Sequence, residues 1–404
     1  MGEMRKAYVC GTFDTKGPEL DFIAARLRDA GVATCTVDVS TRAHRRACDV
    51  AAAEVARHHP QGEAAVLGLD DRGAAIAAML VAFGRFVADR SDIAGMIGAG
   101  GTGGTALLAP AMRSLPVGVP KILVSTVASG NVAGYVGASD LWLVPSMTDV
   151  QGLNRISRRL LGNAAHALAG MIRFALADEA HARPALGLTM FGVTTPCVQA
   201  VCAALEPTHD CVVFHAVGTG GQAMEKLIDS GLLTAALDIT TTEVCDLLMG
   251  GIFPADESRF EAIIRSRIPY VVSCGALDMV NFGPLASVPE RYRNRKLHVH
   301  NPQVTLMRTT PEENVRMAEW IAERINRMQG PVRLLIPEGG VSAIDVPGQP
   351  FHDPAADKAL FDTLTARVVA TPSRHVVRLP YAINEPAFIQ ALIAAFHEVA
   401  GGEG

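Results

Sequence analysis

The stretch Ile93-Ala94-Gly95-Met96-Ile97-Gly98-Ala99-Gly100-Gly101-Thr102-Gly103-Gly104-Thr105 decides the fold. A short apolar run passes without a break into a glycine-rich loop, and a helical pattern follows. That order is a parallel strand, a tight turn and a helix, the repeating unit of an α/β protein. Without side chains, backbone N–H groups close on an anion, and the helix N-terminus adds partial positive charge. Gly100, Gly101, Thr102, Gly103, Gly104 and Thr105 are therefore candidates for holding a phosphate or carboxylate. The Thr102 and Thr105 hydroxyls are available to phosphate or Mg²⁺. The alternative is a turn that only lets strand and helix pack.

The same alternation extends in both directions. Strands are expected at Ala7–Cys10, Val32–Val39, Ala64–Leu67 and Lys121–Ser125. Gly11–Gly17 reads as a loop, with Pro18 opening a helix to Ala30. A long helix spans Leu153 to Ala177, and the polar stretch Asp178–Pro184 reads as a linker. The pattern then restarts with strands at Leu186–Phe191, Cys211–Ala216, Leu232–Leu237, Tyr270–Ser273 and Val332–Ile336. Helices Pro311–Met328 and Pro386–Val399 close the second half. Both halves open with strand, threonine-bearing turn, proline and helix. The expected fold is α/β: two Rossmann-like domains, residues 1–182 and 183–404, with mostly parallel sheets and an interdomain cleft.

Composition narrows the function. The 404 residues carry 36 basic and 41 acidic side chains, net −5, which excludes a globally basic nucleic-acid binder. Apolar residues at 49% exclude a disordered chain. No apolar run reaches the ~18–20 residues of a spanning helix. The first strand begins too early for a signal peptide, and Lys6 stands where a myristoylation motif needs Ser or Thr. A cytoplasmic protein that binds neither membrane nor nucleic acid is expected. Eight cysteines without a CxxC pair give neither a disulfide framework nor a zinc site.

A second loop, Gly218-Thr219-Gly220-Gly221-Gln222-Ala223, fits GxGxxA after a strand, and Asp238 lies 20 residues beyond Gly218. That is the spacing of a ribose-binding acid in a dinucleotide fold. It keeps open an NAD(P)-dependent oxidoreductase, another anionic ligand, or a structural turn. Asp14, Thr15 and Lys16 follow the first strand, at the edge where α/β proteins bind ligands; Lys16 suits phosphate and Asp14 suits Mg²⁺. Ser125 and Ser129 flank another strand end. Thr240, Thr241, Thr242 and Glu243 follow Asp238 as a phosphate-binding or helix-capping group. Asp278 and Asn281 lie in a glycine-rich turn. His298 and His300 share a strand face, and Glu338 precedes Gly339 and Gly340 at a strand end. The basic runs Arg291–Lys296 and Arg42–Arg46 read as solvated faces. No P-loop, kinase signature or GxSxG elbow occurs.

Several motifs together resemble the Tm-1-like family, also called UPF0261. They are Gly11–Gly17, Gly98–Thr105, Met112–Pro116, Gly118–Pro120, Gly152–Ser157, Gly275–Gly283, His300–Pro302, Thr305–Thr310, Pro337–Gly340 and Asp345–Pro350. The resemblance covers nearly the whole chain. It implies two Rossmann-like subdomains, ATP binding with Mg²⁺, and a homodimer. A plant relative carries an extra C-terminal barrel and blocks tobamovirus replication; without that barrel, no antiviral role is expected here. The resulting expectation is an enzyme that uses ATP to act on a small anionic metabolite. Asp14, Thr15, Lys16 and Gly100–Thr105 would hold the nucleotide. Ser125, Ser129, Gly218, Thr219, Gly220, Gly221, Thr241, Thr242, Glu243 and Asn281 would contact substrate. Asp278, His300 and Glu338 would carry catalysis. A non-catalytic nucleotide-binding regulatory module and the NAD(P) oxidoreductase are the alternatives.

Overall fold

The computed structural model describes residues 5–176 and 183–401. The chain divides into two compact units, Met1–Glu179 and Ala180–Gly404. The linker read at Asp178–Pro184 lies largely outside the described residues.

Unit 1 is a five-stranded sheet of β1 (Lys6–Gly11), β2 (Thr34–Asp38), β3 (Ile93–Gly100), β4 (Lys121–Ser125) and β5 (Trp142–Pro145). Its order is β2-β1-β3-β4-β5 and every pairing is parallel. β1 and β3 are buried almost throughout because helices cover both faces. On one face Met79, Phe83 and Phe86 pack with Leu107, Leu108 and Met112; on the other, Leu20, Ile23 and Leu27 pack with Leu161 and Leu168. This order reverses direction between β1 and β3. The connections leaving those two strands diverge to opposite sides and open a crevice at the strands' carboxyl ends.

Two local expectations are corrected here. Ala64–Leu67 is a single helical turn, not a strand; four apolar residues do not distinguish the two by periodicity. The stretch Gly11–Gly17 is not all loop, because the helix Phe13–Asp29 starts five residues before Pro18. Asp14, Thr15 and Lys16 are thus first-turn residues. Pro18, inside the helix, has no N–H to donate to the Asp14 carbonyl.

Unit 2 contains β6 (Ala185–Met190), β7 (Asp210–His215), β8 (Ala235–Thr240), β9 (Tyr270–Gly275), β10 (Met279–Phe282), β11 (Leu297–Asn301), β12 (Val304–Arg308), β13 (Val332–Pro337) and β14 (Arg374–Leu379). Six form a parallel sheet in the order β14-β13-β9-β8-β6-β7. Counted from β6, this is the strand order of unit 1 with one strand added, so the echo between the halves is a shared topology. The remaining three form an antiparallel sheet, β10-β12-β11, which the glycine-rich sequence around Gly275–Gly283 concealed. Among the described residues no helix is long and apolar enough to cross a membrane.

Candidate functional site

The crevice of unit 1 holds a pocket of about 380 Å³. β1 delivers Thr12 and the first-turn residues Asp14, Thr15 and Lys16. β3 delivers Gly100 and Gly101, and its helix Thr102–Ser114 adds Thr102, Gly103 and Gly104. Val39, Thr41 and Arg42 come from beyond β2; Arg72 and Ile76 come from the helix Arg72–Ala88. The two glycine candidates that open the helix differ from the rest of the loop. A Cβ on Gly98 would strike Leu108 and the Cys10 carbonyl, and one on Gly100 would press on Gly104; a Cβ on Gly103 or Gly104 meets nothing within 4 Å. Packing therefore explains Gly98 and Gly100. It does not explain two helix-weakening glycines in one turn, each costing about 1 kcal/mol against Ala. What they provide is bare backbone N–H surface facing the pocket at a helix N-terminus, where an anion is stabilised.

The other candidates of this unit separate into wall and support. Thr12 and Thr15 hydroxyls lie 2.9 Å apart on the wall. Lys16 Nζ donates to the Val150 carbonyl, so it anchors the helix as well as lining the pocket. Thr105 is fully buried; its hydroxyl donates to the Gly101 carbonyl at 2.9 Å and lies 2.6 Å from Ser125 Oγ. Both residues brace the loop from behind. Ser129 lines a separate hollow with Thr126 and residues 145–149. Sequence reasoning missed Asp38, Ser40 and Arg72, and placed Arg42 on a solvated face. Asp38 Oδ1 accepts from the N–H groups of Phe13 and Ser40 and from the Ser40 hydroxyl at 2.5 Å; its Oδ2 lies 2.7 Å from His44 Nε2. His44 Nδ1 accepts from the Arg46 N–H, which leaves Nε2 as the donor to Asp38. With its one proton on Asp38, Ser40 Oγ accepts from the Asp14 N–H at 3.1 Å. The available signal was an acid ending the strand beside β1.

The second glycine loop is built for a different purpose. A Cβ on Gly218 would lie 2.2 Å from the Pro254 carbonyl oxygen, one on Gly220 1.8 Å from the His215 carbonyl oxygen, and one on Gly221 2.1 Å from Glu243 Oε1. Gly218 N–H already donates to Glu243 Oε2 at 2.8 Å. Glu243 and Asp238 are fully buried on Arg259, at 2.5 and 2.6 Å, with Glu225 at 3.1 Å. Asp238 also accepts from Thr189 and Tyr270 hydroxyls at 2.7 and 2.6 Å. This corrects the dinucleotide reading: Asp238 faces no ribose site, and the loop's anion is the chain's own Glu243. Gly218, Gly220, Gly221 and Glu243 are structural, while Thr219 is exposed at the start of the helix Thr219–Asp229.

Residues 5–177 match the N-terminal domain, and residues 183–400 the C-terminal domain, of the uncharacterised protein family UPF0261. The chain belongs to the UPF0261 family. A UPF0261 protein of Rhizobium meliloti is 55% identical over 397 residues, covering 98% of this chain and all of that one. A Clostridium tetani member is 41% identical over 401 residues, 96% of this chain and 97% of that one. The ToMV resistance protein Tm-1(GCR237) of Solanum lycopersicum is 43% identical over 419 residues, 98% of this chain but 56% of the tomato protein.

The UPF0261 motifs of unit 2 converge on a buried polar knot rather than on the expected catalytic trio. No hydrogen bond or ion pair links any two of Asp278, His300 and Glu338 among the described residues. Asp278 is fully buried and accepts from Ser342 Oγ at 2.8 Å. Arg308 lies beside it, bound to Asp345 at 3.0 Å and Asp357 at 2.5 Å. Two carboxyls bind the guanidinium and Asp278 feels its charge from nearby; burial pushes all three acids up, Asp278 to about 6 and Asp345 to about 9. Glu338 is tied to Arg378 at 2.6 Å. A Cβ on Gly339 would meet the Ala382 N at 2.4 Å, so that motif serves a close chain crossing. Asn281 is buried with its N–H on Asp246 at 2.7 Å, and Thr241 donates to the Ser273 carbonyl at 3.3 Å; Thr242 is buried with its hydroxyl unpaired. His300, exposed on β11, lines an open hollow. Cys274 is buried and its thiol is pushed up by burial, the opposite of a nucleophile's setting.

Proposed function

We propose that unit 1 binds a nucleoside triphosphate with its Mg²⁺ in the β1/β3 crevice, the phosphates resting on Gly101–Gly104. The observation that carries this reading is the bare helix turn at Gly103 and Gly104, facing a pocket that also bears Arg42 and Arg72. A neighbouring hollow of about 290 Å³ shares Thr41 and Arg42 and has an apolar wall of residues 51–53 and Leu67. It suits the nucleoside end. The pocket alone lies within the size range of small-molecule sites.

Among the described residues no group of three His, Cys, Asp or Glu is placed to hold a metal. Asp14 with the Thr12 and Thr15 hydroxyls fits Mg²⁺ that arrives on the phosphates, the usual way this ion is held. When bound, the ion neutralises phosphate charge and orients the chain of phosphates. The protein's own contribution is the N–H cradle, the two arginines, and the Asp38–Ser40 pair that holds the backbone of Asp14. The family resemblance adds a homodimer and a small anionic metabolite as further expectations. Isothermal titration with ATP and Mg²⁺, against adenosine and against the Gly104→Asp variant, tests the site. Saturable ATP binding that is lost in the folded variant supports it; an unbound wild type removes it.

A further inference from the structure

Unit 2 holds a hollow of about 220 Å³ that the nucleotide reading does not use. It sits at the carboxyl ends of two adjacent parallel strands, β6 and β7, the end at which α/β sheets bind ligands. Phe191, just past β6, stacks on His215, the last residue of β7, with centroids 5.2 Å apart and planes 16° apart. His215 is locked in that pose, because its Nδ1 lies 3.1 Å from the Met190 carbonyl, which can only accept. Phe253 and Leu306 close the sides, and the β11–β12 hairpin brings His300 to the rim. The His300 ring makes no hydrogen bond to the described residues, and a neutral imidazole presents one N–H in either tautomer. A Cβ on Gly192, which lines the hollow, would meet nothing within 4 Å.

We propose that this hollow binds a small monocyclic carboxylate, its ring against Phe191, Phe253 and Leu306 and its carboxylate on His300. The volume sets the size: an apolar cavity of about 150 Å³ takes benzene, so this one takes a single ring with one short substituent. The chemistry of the walls sets the class: a ring-shaped apolar surface with imidazole at one end matches a molecule that is flat and apolar with one anionic end. The site lies wholly in unit 2, and its test is independent of the nucleotide reading.

The experiment is ligand-observed NMR titration of the full chain, without nucleotide, using benzoate, benzyl alcohol and acetate as probes. Benzoate is expected to bind saturably in about the millimolar range. Benzyl alcohol and acetate, each lacking one recognition element, are expected to bind at least about tenfold more weakly. Gly192→Leu places its Cβ in open space; it is expected to unfold at the wild-type temperature and to weaken benzoate at least about tenfold. His300→Ala is expected to bring benzoate down to the level of benzyl alcohol, with thermal unfolding unchanged. Absence of saturable benzoate binding overturns the proposal. So does benzoate binding that survives Gly192→Leu, and so does benzyl alcohol binding as tightly as benzoate.

Discussion

Replacing Gly104 with Asp separates the two explanations of the first glycine loop, because it moves stability and binding in opposite directions. The new Cβ enters open space. Exchanging glycine for aspartate recovers about 0.3 kcal/mol of helix propensity. A carboxylate in the first turn of the helix Thr102–Ser114 adds about 0.3–1 kcal/mol from the helix dipole. The sum, about 0.6–1.3 kcal/mol, raises the unfolding midpoint of a unit this size by about 1–5 °C. The same carboxylate stands where the phosphates are proposed to rest. A unit charge about 4 Å from another costs about 1 kcal/mol in water and about 4 kcal/mol at the protein surface, so the expected loss of ATP affinity is at least about fivefold. Differential scanning fluorimetry and isothermal titration on one preparation give both numbers. A variant that melts earlier would show that the loop needs its glycine for packing. A variant that melts later and still binds ATP as wild type would refute the phosphate cradle.

Other measurements reach further parts of the molecule. Arg42→Ala and Arg72→Ala are each expected to weaken ATP by about threefold to tenfold, about 0.7–1.4 kcal/mol, and to flatten its salt dependence, as exposed charge contacts do; unchanged titrations would remove either residue from the site. Arg259→Met strands Glu225, Asp238 and Glu243 in the core of unit 2, with an expected cost of about 3–5 kcal/mol, read as loss of protease resistance in that unit. Burial raises Asp246 to about 7, Asp278 to about 6 and Asp345 to about 9. A carboxyl with a raised folded-state value binds its proton more tightly folded than unfolded. Its contribution is therefore complete below about pH 4 and is lost as pH rises through about 6 to 9. The melting point of unit 2 is expected to fall across that window, and Asp357→Asn, which removes one of three charges around Arg308 while keeping an acceptor for it, is expected to flatten the fall. A profile equally steep in the variant would refute the charge-crowding account.

The parallel α/β plan was legible because its central strands are buried on both faces and read as unbroken apolar runs ending in glycine or threonine. The pocket was half legible. Gly100–Gly104 and Asp14–Lys16 are contiguous motifs at strand ends, whereas Arg42 and Arg72 reach the same pocket from elements whose order in the sheet a single sequence does not display. Asp38 carried a signal, an acid at the end of the strand beside β1, but its partner His44 sits within a basic run that looks merely solvated. The expected catalytic residues of unit 2 share motifs for a reason that spacing cannot reveal. Thr310 and Glu313 form a capping box, Asn314 donates to Thr309, and Arg308 gathers two acids, Asp345 and Asp357, from distant segments. Such residues resemble active-site chemistry because buried charge, wherever it occurs, demands the same partners.

Glu243 gives the second glycine loop a ligand of its own. Held by a packed helix rather than a slack tether, its carboxylate faces the Gly218 N–H at a local concentration above the about millimolar level that flexible linkage provides. Free anions in solution compete poorly against that permanent occupant. Two units with one strand order thus differ at their glycine loops: in unit 1 the bare turn at Gly103 and Gly104 faces an open pocket, and in unit 2 the guest is already part of the house.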